Sequence, residues 1–582
     1  MKSLTNKRWI LKNNNNTEDL QKLIKETRIP PVLLNILINR GIKTFQDIYD
    51  FFNPNYTQFH NPFLLKDMDK ALERIERAIE NKEKILIYGD YDVDGTTGVA
   101  LVYSFFKKRY ENIIYYIPDR ITEGYGISDL GLEFARQNNV KLIIAIDCGI
   151  KDNDKVEKAK AYGIDFIICD HHIPDNSLPN AYAILNPKRI DCEYPNKELT
   201  GCGIGYKLIQ AYSKNKYYDP LTPEVKSYID LVAISTAADI VPILGENRAI
   251  VSLGLKKINT EPSIGIKALI TAASLTNSYI KVNDIVFKLG PRINSAGRIK
   301  HGSLAVELLL AKDESEALKL AKEINKYNQE RRNINEEILE DSLEYIIKNK
   351  LYEKESIIVY NDNWHKGVLG IIAARLTQEF YRPSIVLTYD YEKNFYVGSA
   401  RSIENFDLYY ALKQCNELLE NFGGHKFAAG LSIKRENLPK FISKFEDICK
   451  SILCPEDLIP KIEVDAEINF NQIDRNFFKY LKRFEPYGPG NMNPIFVTKN
   501  VKDTGNGKTI GNNNSHLLLE LVQDNFKYYF PAIAFNFGNF IEDLAQVEYF
   551  NICYSIETYT NSLTNAQELR IKIRDIQIPY IY

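Results

Sequence analysis

Short apolar runs alternate with amphipathic stretches along the first half of the chain. Stretches such as 67–82 and 96–109 place apolar residues at a helical period. The apolar runs lie at 85–88, 113–117, 142–146, 166–168 and 181–185. Apolar runs that alternate with helices indicate βαβ units around a buried parallel sheet. We therefore predict an α/β domain over residues 61–310, preceded by a helical segment over residues 1–60.

After residue 310 the pattern changes. A highly charged stretch keeps an apolar stripe at near-helical spacing, formed by Leu320, Ile324, Tyr327, Ile334, Ile338 and Leu339. The stripe predicts one long connecting helix over residues 311–350. Three more apolar runs follow, at 357–360, 385–387 and 395–397. They predict a second, smaller α/β domain over residues 351–455.

The last segment, residues 456–582, alternates apolar and polar residues as strands do. Its runs lie at 496–497, 517–521, 528–534 and 569–578, and turns rich in Gly and Asn interrupt them. Short strands with such turns are typical of a small β-barrel, so an OB-fold is predicted here.

Composition narrows the class of protein. The 582 residues are enough for about three to four domains, and 45% hydrophobic, 12% aromatic and 26% charged residues exclude a disordered or fibrous chain. No apolar run approaches the roughly 20 residues that span a bilayer, and the first residues lack the apolar core of a signal peptide. The eight cysteines include no CxxC pair, so a cytoplasmic protein is predicted. A net charge of −2 requires any nucleic-acid binding to use local basic patches.

Three aspartates stand between a predicted strand and a predicted helix, in the segment Gly89-Asp90-Tyr91-Asp92-Val93-Asp94-Gly95. Alternate residues of an extended segment point to one side, so the three carboxylates are expected together at the C-terminal edge of the sheet. Like charges this close repel by roughly several kcal/mol unless cations neutralise them. The alternative interpretation of this segment is a calcium-type loop or an Asp-Gly loop that forms a turn.

Further acidic residues and two histidines follow other apolar stretches. Asp147 follows one run, Asp170-His171-His172 follow the next, and Asp239 ends an apolar helical stretch. A single carboxylate at the end of a strand is often only a helix cap. Helix capping does not account for six aspartates and two adjacent histidines at corresponding positions. Carboxylates with few imidazoles and no thiolate suit Mn²⁺ or Mg²⁺. The set has enough ligands for two ions about 3.5 to 4 Å apart, which predicts a two-metal phosphoesterase.

These motifs resemble the four motifs of the DHH phosphoesterase superfamily, and in particular those of its single-strand-specific exonucleases. Supporting segments lie at 118–126, 199–205, 290–298, 364–370, 399–402, 422–430 and 486–491, in the order of the family. The resemblance implies an α/β fold: a DHH parallel-sheet domain, a long helix, a smaller α/β DHHA1 domain that binds phosphate or a DNA end, and an OB-fold-like single-strand-binding domain.

The resemblance also implies roles for the acidic and histidine residues. The implied metal ligands are Asp90, Asp92, Asp94, Asp147, His171 and Asp239. Asp147 would bridge both ions, Asp170 would orient the histidines and His172 would contact the scissile phosphate. Many members carry a histidine four residues before the second aspartate of the first motif, where this chain has Tyr88. Asp90 is the expected substitute.

A second set of residues is implied to bind the substrate. Its members are Arg120, Tyr125, Arg292, Asn294, Arg298, Ser399, Arg401, Gly423, Gly424 and His425. Backbone N–H groups of glycines and guanidinium groups of arginines can bind phosphate oxygens. The alternative is a tight turn for the glycines and a structural salt bridge for each arginine. Arg120 and Tyr125, together with Tyr206, would stack on unpaired bases, or else pack at a domain surface.

The function implied by the resemblance is that of a monomeric exonuclease with two divalent ions, Mn²⁺ or Mg²⁺. It would degrade single-stranded DNA from the 5′ end to 5′-mononucleotides in repair and recombination, with a helicase or single-strand-binding protein as a partner and no membrane. One alternative is a DHH phosphodiesterase acting on short oligoribonucleotides or cyclic dinucleotides. The other, from a different class, is a non-catalytic DNA-binding scaffold.

Overall fold

The computed structural model describes residues 1–12, 17–523, 529–560 and 567–579. Tyr528, the first residue of the predicted run 528–534, lies outside them. Within these ranges no helix has both the length and the apolar character needed to cross a membrane.

The chain begins with two short strands and three helices. They are β1 (Lys2–Ser3), β2 (Arg8–Leu11), α1 (Thr17–Glu26), α2 (Pro31–Asn39) and α3 (Phe45–Phe52). Helix α2 starts at a proline, which lacks only an N–H that has no partner in a first turn. Helix α3 starts with a capping box, because Thr44 and Asp47 exchange hydrogen bonds.

The first α/β domain, which is the predicted catalytic domain, contains a parallel sheet with the strand order β4-β3-β5-β6-β7. Its strands are β3 (Lys84–Gly89), β4 (Ile113–Tyr116), β5 (Val140–Ile146), β6 (Asp165–Cys169) and β7 (Ala183–Leu185). Its helices are α4 (Met68–Glu80), α5 (Val93–Lys107), α6 (Asp129–Gln137), α7 (Asn153–Ala161), α8 (Gly201–Tyr217), α9 (Pro223–Ser227), α10 (Ile229–Ala238), α11 (Gly245–Thr260), α12 (Ile264–Ala272), α13 (Val282–Asp284), α14 (Gly290–Ile299) and α15 (Ser303–Leu310). Hydrophobic cores on both faces bury the strands, which explains their apolar sequences.

The predicted connecting helix is α16 (Glu314–Lys348), and it leads into a five-stranded sheet in the order β11-β12-β10-β9-β8. The strands are β8 (Ile357–Tyr360), β9 (Ser384–Asp390), β10 (Phe395–Arg401), β11 (Asn421–His425) and β12 (Ala428–Ile433). The helices are α17 (Leu369–Phe380), α18 (Leu408–Gln414) and α19 (Leu438–Ile452). Only β8 and β9 pair in parallel, so this second α/β domain has a mixed sheet.

The C-terminal segment forms a closed barrel. Its elements are β13 (Lys461–Val464), β14 (Ala466–Glu467), α20 (Arg475–Lys482), β15 (Phe496–Asp503), β16 (Lys508–Ile510), β17 (His516–Gln523), β18 (Phe530–Ala534), α21 (Ile541–Ala545), β19 (Phe550–Thr560) and β20 (Gln567–Ile578). Strand β15 pairs with both β17 and β19, which closes the ring β15-β17-β18-β20-β19. A closed ring of five strands confirms the OB-fold prediction.

Both ends of the chain contribute to this C-terminal module. Strand β1 pairs with β20, strand β2 pairs with β13, and Trp9 Nε1 donates to Asp575 Oδ2 at 2.7 Å. Leu33 and Leu37 of α2 belong to the same hydrophobic core as Phe496 of the barrel. The segment over residues 1–60 contains the three helices α1 to α3, and it also pairs and packs with the C-terminal barrel. Strands of two and four residues show no period in the sequence, and their partners are more than 400 residues away.

Candidate active site

The predicted carboxylates lie at the C-terminal edge of the parallel sheet. Asp90 follows β3, Asp147 follows β5 and Asp170 follows β6, and these three strands are neighbours. Asp239 stands at the C-terminal end of α10. Asp147 and Ile240 both adopt a φ of 62°, which is uncommon for residues with a Cβ atom and marked for a β-branched one. The backbone is therefore strained at Asp147 and next to Asp239, both predicted metal ligands, and such strain is common at functional sites.

His171 brings the carboxylates together. Its Nε2 atom lies 3.2 Å from Asp147 Oδ1, 3.6 Å from Asp239 Oδ2 and 3.7 Å from Asp94 Oδ2. Three sets of side chains each place ligand atoms within 4.8 Å of one another: Asp147, His171 and His172; Asp94, His171 and Asp239; Asp90, Asp92 and Asp147. Shared members join these sets into one cluster, which contains every predicted metal ligand.

Asp94 reaches the cluster by a route that the sequence analysis did not predict. Helix α5 begins at Val93, so Asp94 lies in the first helical turn, and the interpretation of three alternate residues in one extended segment is wrong. The cause is local, because Asp92 caps the helix by accepting a hydrogen bond from Gly95 N at 3.1 Å.

Backbone amides of α8 and a serine of α10 hold the Asp94 carboxylate. It accepts hydrogen bonds from Gly201 N at 2.6 Å, Cys202 N at 2.8 Å and Ser235 Oγ at 2.6 Å, and the N-terminus of a helix favours a negative charge. A Cβ atom on Gly201 would lie 2.6 Å from Asp147 Cβ, so only glycine allows this approach. The sequence of the segment 199–205 gives no local signal for this role, because its partner Asp94 lies more than 100 residues away.

The carboxylates strongly perturb one another. Burial, followed by the charges of Asp94 and Asp92, raises the pKa of Asp147 well above its ordinary value. The same causes raise the pKa of Asp239 to about 9. Burial, followed by the charge of Asp92, also raises the pKa of Asp90. In the absence of a cation, ionising this cluster costs folding free energy.

The residues present fit divalent metal ions. Among the described residues, both ring nitrogens of His171 and Oδ1 of Asp90 are buried without a hydrogen-bond partner. Burial lowers the pKa of His171, which favours the neutral imidazole that binds metals. Several carboxylates with one or two imidazoles and no thiolate suit Mn²⁺ or Mg²⁺. The assignment of these residues as metal ligands stays a prediction.

Asp170 and Tyr125 hold the ring of His172. Nδ1 of His172 lies 2.8 Å from Asp170 Oδ1 and 3.0 Å from the Tyr125 hydroxyl, which also donates to Asp147 O at 3.1 Å. Burial is the largest single effect on both members of the His172–Asp170 pair and opposes their ionisation. Their hydrogen bond and the nearby opposite charges together outweigh it, lowering the pKa of Asp170 and raising that of His172. Because Nδ1 is occupied, Nε2 is the nitrogen left to contact a substrate.

Replacing Tyr125 with phenylalanine separates positioning of His172 from base stacking. We expect kcat to fall about 10-fold with little change in KM, because partners that orient functional histidines are typically worth 10- to 100-fold. Steady-state kinetics on single-stranded DNA, the substrate that the resemblance implies, would measure this. Tyr125→Ala serves as the comparison, since it also removes the ring. An unchanged kcat for Tyr125→Phe with a raised KM for Tyr125→Ala would assign Tyr125 to base stacking alone.

A cavity of about 220 Å³ opens over the cluster. Its lining residues are Asp90, Tyr91, Asp92, Arg120, Tyr125, Asp147, His172, Asp239, Asn294 and Arg298. The Arg120 guanidinium lies over the Tyr91 ring, 4.6 Å from its centroid. Arg298 Nη1 donates to Gly367 O of the second domain at 2.8 Å. Four of the predicted substrate-binding residues therefore lie beside the predicted metal ligands.

Other residues considered from the sequence lie elsewhere. Arg292 Nε donates to Asn325 Oδ1 of α16 at 2.9 Å, so Arg292 faces the connecting helix. Tyr206 is fully buried in the domain core, and the expectation that it stacks on bases is wrong. Tyr88 is also fully buried, and its hydroxyl donates to Gly126 O at 3.1 Å, away from the carboxylate cluster.

The remaining predicted residues meet on the sheet of the second domain. Ser399 of β10 is opposite Gly430 of β12, which is opposite Gly423 of β11. Arg401 and His425 lie two residues further along the same face. A Cβ atom on Gly423 would contact nothing, so the backbone there is open to a ligand. We call these five residues the glycine face.

Arg401 extends back across the glycine face. Its Nη1 donates to Ser399 Oγ at 3.0 Å, and a Cβ atom on Gly370, in the first turn of α17, would lie 3.1 Å from its Nη2. Gly424 differs from Gly423, because it has a φ of 149° and a Cβ atom there would lie 2.6 Å from Ala429 Cα. Gly424 therefore supports the hairpin and does not belong to the glycine face.

Three family models match the chain. They are the DHH family, N-terminal domain, at residues 84–236, the DHHA1 domain at 353–451 and the RecJ OB domain at 464–575. The single-stranded-DNA-specific exonuclease RecJ of Bacillus subtilis (strain 168) is 34% identical over 96% of this chain and 70% of its own length. The RecJ of Haemophilus influenzae is 31% identical over 92% of this chain and 96% of its own length.

Solved structures agree with these matches. RecJ from Thermus thermophilus in complex with Mn²⁺ matches 99% of this chain and 80% of its own, with a TM-score of 0.82 at 23% identity, which shows the fold. An exonuclease RecJ bound to manganese matches 68% of this chain and 96% of its own, with a TM-score of 0.58 at 28% identity.

The parallel sheet with its converging aspartates and histidines, joined by a long helix to a DHHA1 domain, defines a phosphoesterase of the DHH superfamily. The RecJ OB domain and the identity to curated relatives along nearly the whole chain narrow this further. The chain belongs to the RecJ family.

Proposed function

We propose that this protein is a metal-dependent exonuclease that hydrolyses single-stranded DNA from the 5′ end to 5′-mononucleotides, in DNA repair and recombination. The observation that carries the proposal is the convergence of the predicted metal ligands on His171 beneath a cavity that also holds Arg120 and Arg298. Membership of the RecJ family supports the substrate, because its curated relatives are single-stranded-DNA-specific exonucleases.

Two divalent ions, Mn²⁺ or Mg²⁺, would be held by Asp90, Asp92, Asp94, Asp147, His171 and Asp239. When bound, such ions lower the pKa of a water and stabilise the charge that develops on a phosphate. Asp170 accepts a hydrogen bond from Nδ1–H of His172 and stabilises the protonated ring, whose Nε2–H can then donate to a phosphate oxygen. Arg298 and Asn294 add donors from the cavity wall.

The glycine face would hold the 5′-terminal phosphate and thereby set the polarity. Open backbone at Gly423 and the guanidinium of Arg401 suit a phosphate. If the terminal phosphate binds there, the next phosphodiester reaches the metal ligands. Hydrolysis then forms a bond from the water oxygen to phosphorus and breaks the bond to the 3′ oxygen. One 5′-mononucleotide leaves, and the shortened strand keeps a new 5′ phosphate.

Arg401→Ala is expected to slow cleavage of 5′-phosphorylated single strands roughly 30-fold, about 2 kcal/mol, because it removes a charged hydrogen bond to the terminal phosphate. On strands with a 5′ hydroxyl the loss should be much smaller. Competition kinetics with both substrates would measure the ratio, and Lys413→Ala, an exposed lysine of α18, is the charge-matched control. Equal losses of activity on both substrates would contradict binding of the terminal phosphate at the glycine face.

One assay separates the proposal from its two alternatives. Single-stranded and duplex DNA, labelled at either end, are incubated with Mn²⁺, Mg²⁺ or chelator, with short oligoribonucleotides and cyclic dinucleotides as competing substrates. Mononucleotide release from the 5′ end of single strands, abolished by chelator, supports the proposal. Preference for oligoribonucleotides or cyclic dinucleotides, or binding without hydrolysis, would establish an alternative instead.

We also propose that the enzyme is a cytoplasmic monomer that acts with a helicase or a single-strand-binding protein. All eight cysteines are free, and seven of them are buried, as expected for a protein of a reducing compartment. A mass near 67.0 kDa by light scattering would support the monomer.

A further inference from the structure

The connecting helix α16 does more than join two domains. Ile324 is buried in the core of the catalytic domain and Ile338 in a core of the second domain. Arg331 lies midway, seven residues from each, or about 10 Å along the helix axis. It therefore lies on the part of α16 that runs between the two domains.

Arg331 belongs to a group of arginines without acidic partners. Among the described residues, Arg292, Arg298, Arg331 and Arg332 form no ion pair with a carboxylate. The Arg298 side chain is partly buried. Burial, followed by the charges of Arg120 and Arg331, lowers its pKa to about 9, and the opposite charges of Tyr91 and Asp92 offset this only in part. Clustered cations that are partly desolvated cost free energy unless an anion joins them.

The side chain of Arg331 is prepared for a ligand. Its Nη2 donates to Asn328 Oδ1 at 3.1 Å, whereas its Nε is buried and has no hydrogen-bond partner. Asn328 and Asn335 lie on the same face of α16 at i−3 and i+4, both are buried, and Asn335 Oδ1 also lacks a partner. A helix that only connected two cores would bury apolar residues on this face.

We propose that Arg331 binds a backbone phosphate of the DNA strand where the strand crosses between the two domains, and that Asn328 and Asn335 position its guanidinium. The planar fork of arginine suits two phosphate oxygens. This inference rests on the proposed exonuclease function. It assigns to the connecting helix a share of substrate binding, in addition to the glycine face and the cavity over the metal ligands.

The first test compares Arg331→Gln with Lys326→Gln, which removes an exposed lysine from the same helix. Binding of a 5′-phosphorylated 12-mer of deoxythymidine is measured in chelator from 50 to 300 mM salt. Arg331→Gln should weaken binding about 10-fold and reduce the slope of log K against log salt by about 0.7, the value for one phosphate contact on a single strand. Lys326→Gln should leave both unchanged. Equal slopes for wild type and Arg331→Gln would overturn the inference.

The second test locates the contact. A neutral methylphosphonate replaces one phosphate at a time in the 12-mer, and binding is measured with wild type and Arg331→Gln. At one position the substitution should weaken wild type but have no further effect on Arg331→Gln. Losses that add at every position would show that Arg331 only supports the fold, and thermal denaturation checks folding directly. If wild type does not hydrolyse single-stranded DNA, the proposed function fails by itself, whatever the binding slopes.

Discussion

Asp147→Asn is expected to reduce hydrolysis of single-stranded DNA at least about 10³-fold and to leave binding of the strand nearly unchanged. Asp147 belongs to two of the three groups of potential metal ligands, and asparagine keeps its shape without its charge. Metal assistance is worth several kcal/mol, and about 1.4 kcal/mol corresponds to tenfold in rate. Single-turnover kinetics measure the loss of hydrolysis, and binding assays in chelator measure the affinity for the strand. Binding should be retained because the variant leaves Arg298 and Arg401 unchanged.

The same variant has a stability signature that does not depend on activity. The folded-state pKa of Asp147 is raised above that of the unfolded chain, so the ionised carboxylate destabilises the metal-free protein as pH rises above its ordinary range near 4. In chelator at pH 8, Asp147→Asn should therefore melt at a higher temperature than wild type. Mn²⁺ should stabilise wild type strongly and the variant weakly. Near-normal turnover by the folded variant would contradict the two-metal site.

Deleting residues 461–582 alone is expected to abolish folding of the N-terminal helices as well as the barrel. Leu33, Leu34, Ile36 and Leu37 are fully buried in a core shared with the barrel. Exposing these four side chains costs on the order of 6 to 12 kcal/mol, comparable to the stability of a whole domain. The truncated chain should aggregate or lose its N-terminal helices to limited proteolysis.

The matched control deletes residues 1–54 together with 456–582. This removes both halves of the shared core, and we expect a soluble protein that cleaves short oligonucleotides but binds long single strands weakly. Equal solubility of the two truncations would show that the N-terminal helices do not depend on the barrel.

Local sequence patterns determined much of the catalytic domain. Buried parallel strands read as apolar runs, and their carboxyl ends meet at one edge, so the pattern alone predicted that Asp90, Asp147 and Asp170 lie together. The long helix was also visible, because its apolar stripe continues from the core around Ile324 to the core around Ile338.

Tertiary structure alone decided which distant groups became partners. The hydrophobic period of a sequence indicates that a residue is buried but not which residue it contacts. The sequence therefore did not show that β1 pairs with β20, or that Asp94 contacts the amides of Gly201 and Cys202. Arg331 reads in the sequence as one more charge on a solvated helix. Packing of two domains against α16 turns it into a partly buried cation that faces Arg298 and has no acidic partner among the described residues. The physical reason is that an electrostatic field sums over all neighbours in space, which the linear chain does not specify.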